Sequence, residues 1–170
     1  MPNHIFNPAQ EWFDDMLRMT LSTVDDAEAA IKIAGGDYSE FNKRVAFIMF
    51  GRILDAHVHM THCILKKLAE IGIPVDRTTL NKLEYHGRLP EKIKMSFNEM
   101  ARVRPDHVAP DFSGSGWAAL QRALEVRNRL VHPESGAHLV ITEKDAKDMI
   151  DGLAWFNAAF AHTPPNPGVS

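Results

Sequence analysis

Cys63 is the one cysteine in 170 residues. That excludes an internal disulfide framework and any zinc site built from several cysteines of one chain. It also leaves nothing that demands an oxidising compartment. Long apolar runs are missing too. The nearest, "RVAFIMFGRIL" at 44–54, falls short of the roughly 18–20 residues of a membrane span and carries Arg44 and Arg52. The opening stretch "MPNHIFNPAQEWFDD" has no basic segment followed by an apolar one. No secretory signal or membrane association is expected, and a cytoplasmic location is the default. Positive charge is not in excess: 19 Lys and Arg stand against 22 Asp and Glu, for a net charge of −3. The global footprint of a nucleic-acid binder is therefore absent, although a local basic site can sit on an acidic protein. Strand-like alternation is nearly absent, with "HLVIT" at 138–142 the sole short candidate. No tandem repeat, glycine-rich phosphate loop, Ser-His-Asp order or zinc-deaminase pattern is visible.

What fills the chain instead is the helical period. Apolar residues recur at spacings of three and four almost throughout. The length fits one domain, expected over 1–162, with 163–170 as a disordered tail. A first helix is expected from Pro8, capped by Asn7, to the stop at Gly35-Gly36. A second should run from about Ser39 to Ile71, ended by Gly72 and Pro74. It is apolar on several faces, which makes it central or places it in an interface. A short helix is expected around Thr79–Tyr85 and another from Pro90, followed by the loop "RPDHVAPDFSGSG" at 104–116. A further helix begins near Ser115 or Trp117 and ends in "EVRNRLVHP", residues 125–133. The last is capped by Thr142. The expected fold class is all-α: an antiparallel bundle of four to five helices.

"EVRNRLVHP" contains two arginines that helical phase separates. At about 100° per residue, Leu120, Ala123, Leu124, Leu130 and Val131 form one apolar face. Arg127 projects from its middle. Arg129 and Arg122 project from the opposite side, and Arg129 reads as a solvated charge, paired at most with Glu125. An inward guanidinium must be paired or line a wet cleft, because leaving it unpaired costs several kcal/mol. Gln121, Glu125, Asn128 and His132 share a shoulder between the two faces. Arg127 and His132 diverge on a straight helix, but Pro133 biases His132 out of helical geometry, so the helix should end at the histidine.

"RNRLVH" resembles the signature of the HEPN superfamily (higher eukaryotes and prokaryotes nucleotide-binding): an arginine, four to six residues, then a histidine, with a polar residue commonly after the arginine. Arg127, Asn128 and His132 take those places. The resemblance implies a HEPN-like bundle and a metal-independent endoribonuclease of a bacterial toxin–antitoxin or antiphage defence system. It further implies catalysis by Arg127, His132 and Asn128 at a composite homodimer site, an RNA substrate, no cofactor, and an antitoxin or defence partner. The chemistry is coherent. Histidine exchanges protons near neutral pH, and arginine offers a fixed charge with a bidentate fork for phosphate oxygens. One departure stands out: in the subgroup whose antitoxin modifies a tyrosine two residues after the histidine, that place is Glu134 here. The alternative within the family is a catalytically inactive interaction or regulatory module.

Other polar groups invite weaker readings. Asp55, His59 and His62 share a helix face with Cys63 beside them, while His57 points elsewhere; the triad suggests a histidine-liganded metal site. Arg102 and Arg104, with Lys92 and Lys94, could form a local basic rim for RNA, against the simpler reading of a solvated face. His86 and His107 sit in expected loops and read as surface residues.

Overall fold

The computed structural model describes residues 25, 39–85, 87–104 and 107–161. The expected first helix and the tail lie outside them. The described residues form an all-α bundle of five helices: α1 (Glu40–Glu70), α2 (Arg77–Tyr85), α3 (Leu89–Val103), α4 (Ser115–Val131) and α5 (Glu143–Ala161). No strand occurs among them. No helix among them is long and apolar enough to cross a membrane.

The ends follow from local chemistry. Ser39 caps α1 by accepting from the Asn42 amide at 3.2 Å. Ile71 closes it, and Gly72 follows with φ +90°, a left-handed turn that glycine takes without steric cost. Asp76 precedes α2 and accepts from the Thr78 and Thr79 amides. Pro90 sits in the first turn of α3, where no amide donor is needed. Thr142 and Asp145 form a reciprocal cap on α5, with 3.1 Å and 2.9 Å bonds in the two directions.

The multi-faced α1 is the central element. It buries Phe47, Phe50, Ile53, Leu54, Val58 and Leu65 on different sides and packs against each of the other four helices. Burying a side chain of this size contributes roughly 1.5–3 kcal/mol, so a helix with apolar residues all round belongs inside.

α4 and α5 form the closest pair, and they run antiparallel. Gly116 meets Trp155, Leu120 meets Gly152, and Arg122 meets Asp148, the numbers falling on one helix as they rise on the other. A Cβ at Gly152 would stand 2.7 Å from the Leu120 Cα, so the small residue is what allows the two backbones to approach. Arg122 clamps the pair with both arms on Asp148, at 2.9 and 2.7 Å, and Lys144 adds a third contact. These bonds hold the Asp148 carboxyl down at about 2.

The segment expected as a strand is instead a 3-10 turn, Gly136–Leu139, followed by extended Val140. No neighbouring strand is there to take its ladder bonds. Its carbonyls are satisfied by an arginine of α4.

Candidate functional site

The site centres on the last turns of α4 against the middle of α1. Arg127 leaves α4 toward the core, as its helical phase dictates, and its side chain is 25% exposed. It lies along α1 over Gly51. A Cβ on that glycine would be 2.8 Å from the Arg127 Nε and 3.2 Å from its Cγ. A glycine within a helix lowers helical propensity. Here it opens the groove in which the arginine stem runs.

The guanidinium then emerges beside Asn128 and Asp55. Its Nη1 donates to the Asn128 Oδ1 at 3.1 Å. Its Nη2 stands 3.6 Å from the Asp55 Oδ2, close enough to attract but too far for a hydrogen bond. The Nε is buried and has no acceptor. Asp55 keeps 54% of its side chain open. Partial burial pushes its carboxyl above the usual range, against the pull of Arg127, then Lys92 and Arg52.

Three arginines leave α4, and their bonding separates them. Arg122 has both arms of its fork on Asp148. Arg129 donates to the carbonyls of His138 (2.9 Å) and Val140 (2.6 Å) and to the Asp145 carboxylate (2.8 Å). Arg129 is thus not the solvated charge its position on the helix wheel suggests. The chain after Pro133 folds back over that side of α4, and Arg129 ties the 3-10 turn and the start of α5 to it. Arg129→Ala is expected to cost about 1–2 kcal/mol, with Arg129→Lys recovering little because one ammonium cannot reach all three acceptors. Urea unfolding checks this; an unchanged midpoint would refute the tether. Arg127, by contrast, leaves most of its five N–H donors unspent.

His132 is the C-terminal cap residue of α4, with φ −126° and ψ 66°; its amide donates to the Asn128 carbonyl at 3.0 Å. The helix ends at the histidine, as Pro133 predicts. Its imidazole is exposed, and among the described residues it makes no hydrogen bond or ion pair. One chain therefore brings Arg127, Asn128 and Asp55 together and leaves His132 open to solvent at the end of the same helix.

The remaining expectations scatter. Arg102 is held by buried Glu99 and the Pro74 carbonyl, a clasp that ties the turn before α2 to α3. Arg104 caps the end of α3. Lys92 donates to the Leu83 carbonyl, and Lys94 lies over the Phe112 ring. The basic side chains near α3 thus have intramolecular work. Asp55, His59 and His62 do not converge: Asp55 faces Arg127, the His62 Nε2 is 3.9 Å from the Glu84 carboxylate, and the His59 Nε2 is 3.7 Å from the Cys63 Sγ. Among the described residues no three His, Cys, Asp or Glu side chains could hold one metal ion.

No protein-family model matches the chain, nor does any curated protein or any solved structure. The site must be read from its own geometry.

Two features escaped the sequence reading. Gly51 as the seat of Arg127 had a signal, an isolated glycine inside an apolar helix. His57 had less. It is buried, with its Nε2 3.1 Å from the Ser96 Oγ and its ring stacked on Phe97 at 4.7 Å.

Proposed function

We propose that this protein is a metal-independent endoribonuclease whose site contains Arg127, Asn128 and His132 and is completed by a second copy of the chain. The observation that carries the reading is the unspent guanidinium of Arg127. The fold gives it a groove over Gly51, one neutral partner and a carboxylate beyond bonding distance. Such a fork suits the oxygens of a phosphodiester. The resemblance of "RNRLVH" to the HEPN signature adds the reaction class, and a bacterial toxin–antitoxin or antiphage defence setting with it.

The proposed reaction needs no redox or metal step. One imidazole accepts the proton of the ribose 2′-hydroxyl, and the 2′ oxygen attacks phosphorus. The bond from phosphorus to the 5′ oxygen breaks, and a second imidazole gives that oxygen a proton. The products are a 2′,3′-cyclic phosphate and a 5′-hydroxyl. Arg127 holds the phosphate oxygens as negative charge gathers on them. Asn128, bonded to Arg127, sets the angle of the fork. Each chain carries one histidine at this position, so a two-histidine mechanism calls for two chains. His132, open at the end of α4, is accessible to a partner.

The test is RNA cleavage by the purified protein with and without chelator, beside Arg127→Ala and His132→Ala. Chelator-resistant cutting that yields cyclic phosphate ends and disappears in both variants is the expected result. The Arg127–Asp55 approach favours a second reading, in which the arginine is structural and the domain is an interaction module. A folded dimer that binds RNA poorly and leaves it intact would establish that reading instead.

A further inference from the structure

On α1, two turns beyond Gly51, His59 and Cys63 stand four residues apart. This spacing puts two side chains on one helix face. The His59 Nε2 and Cys63 Sγ are 3.7 Å apart. Two ligands on a tetrahedral zinc ion, with Zn–S near 2.3 Å and Zn–N near 2.0–2.1 Å, lie about 3.6 Å from each other. The pair already has the spacing of adjacent zinc ligands. His59 is exposed and Cys63 half-buried, so both can be reached from outside the chain.

We propose that His59 and Cys63 form half of a zinc site that the same two residues of a second copy complete. One chain cannot close the tetrahedron. It has a single cysteine, and among the described residues no third metal-ligating side chain converges on the pair. Asp55 is turned to Arg127, and His62 faces Glu84. Two copies supply two imidazoles and two thiolates, the set of a closed structural site. The ion would join the copies through α1, giving metal-dependent association separate from any chemistry at Arg127. Because ligand thiols bind deprotonated, zinc uptake would release protons.

The test uses the full chain, stripped with chelator, reduced and titrated with Zn²⁺ alone. Expected are a stoichiometry of one zinc per two chains and a dimer mass for the loaded protein in sedimentation. Cobalt in place of zinc should show tetrahedral bands with thiolate charge transfer. His59→Ala and Cys63→Ser should each abolish uptake, and His62→Ala should retain it. No binding, one zinc per chain, a zinc-loaded monomer, or undiminished uptake in the His59 and Cys63 variants would overturn the proposal. None of these readouts involves RNA, so the result stands apart from that of the cleavage assay.

Discussion

Acidification from pH 7 to pH 4 is expected to cost the folded state about 3 kcal/mol through His57 alone. The residue lies in α1 among aromatic rings, with Phe97 of α3 stacked on it and Phe156 and Phe160 of α5 edge-on, at 5.1 and 5.9 Å. The Ser96 hydroxyl spends its proton on the Ile93 carbonyl at 2.7 Å. It must therefore accept from His57, which fixes the proton on Nε2 and leaves a bare, unpartnered Nδ1. A second proton would place a charge in this apolar surround. Burial holds the imidazole down at about 4, from an ordinary 6.5. The sign follows from proton counts. Below pH 6.5 the unfolded chain takes up a proton that the native chain refuses, so stability falls until the native imidazole titrates near 4. At about 1.4 kcal/mol per unit over that window, the loss is about 3 kcal/mol. Asp148 acts later. Its carboxyl is lowered from 3.8 to about 2, so the stability it confers is lost only as the pH falls through that lower range. Urea unfolding of the wild type and of His57→Leu across pH 7 to 4 separates the two. Leucine keeps the volume and leaves the Ser96–Ile93 bond in place, so the variant should lose most of the slope. Parallel slopes for both proteins would assign the acid sensitivity elsewhere.

The sequence carried the local part of this structure and missed the contacts between distant segments. The bounds of α1 were legible because Ser39, Gly72 and Pro74 act on the chain beside them. So was the end of α4 at His132, which Pro133 dictates. The inward course of Arg127 came from phase alone, since a helix wheel needs no partner. The wheel failed for Arg129, because residues 136–145 return over that side of α4 and only the fold reveals it. "HLVIT" failed for a related reason: β propensity has no force without a second strand, and Arg129 meets its carbonyls instead. His57, His59 and His62 looked alike in "DAHVHMTHC". Their neighbours, an aromatic cage, a thiol and Glu84, come from different elements or different turns.

On the proposed ribonuclease reading, removing the guanidinium of Arg127 is expected to slow cleavage about 10³-fold, the scale of losing a preorganised donor to a developing oxyanion. Arg127→Lys should recover little. An ammonium keeps the charge but not the fork that reaches two phosphate oxygens from the groove over Gly51. Gly51 gives a sharper test, because it touches the arginine and no reacting atom. In Gly51→Ala the added methyl would sit 2.8 Å from the Arg127 Nε, closer than van der Waals contact, and the side chain must move out. The helix gains up to about 1 kcal/mol of propensity from the change, which offsets the crowding and keeps the fold near wild-type stability. Activity should still drop roughly 10-fold or more, since small misplacements of a charge-stabilising group are costly in rate. A loss of turnover without a loss of stability distinguishes a seated catalytic arginine from a structural one. If Arg127 serves only to hold α4 against α1, Gly51→Ala would change the unfolding midpoint and leave any cleavage untouched.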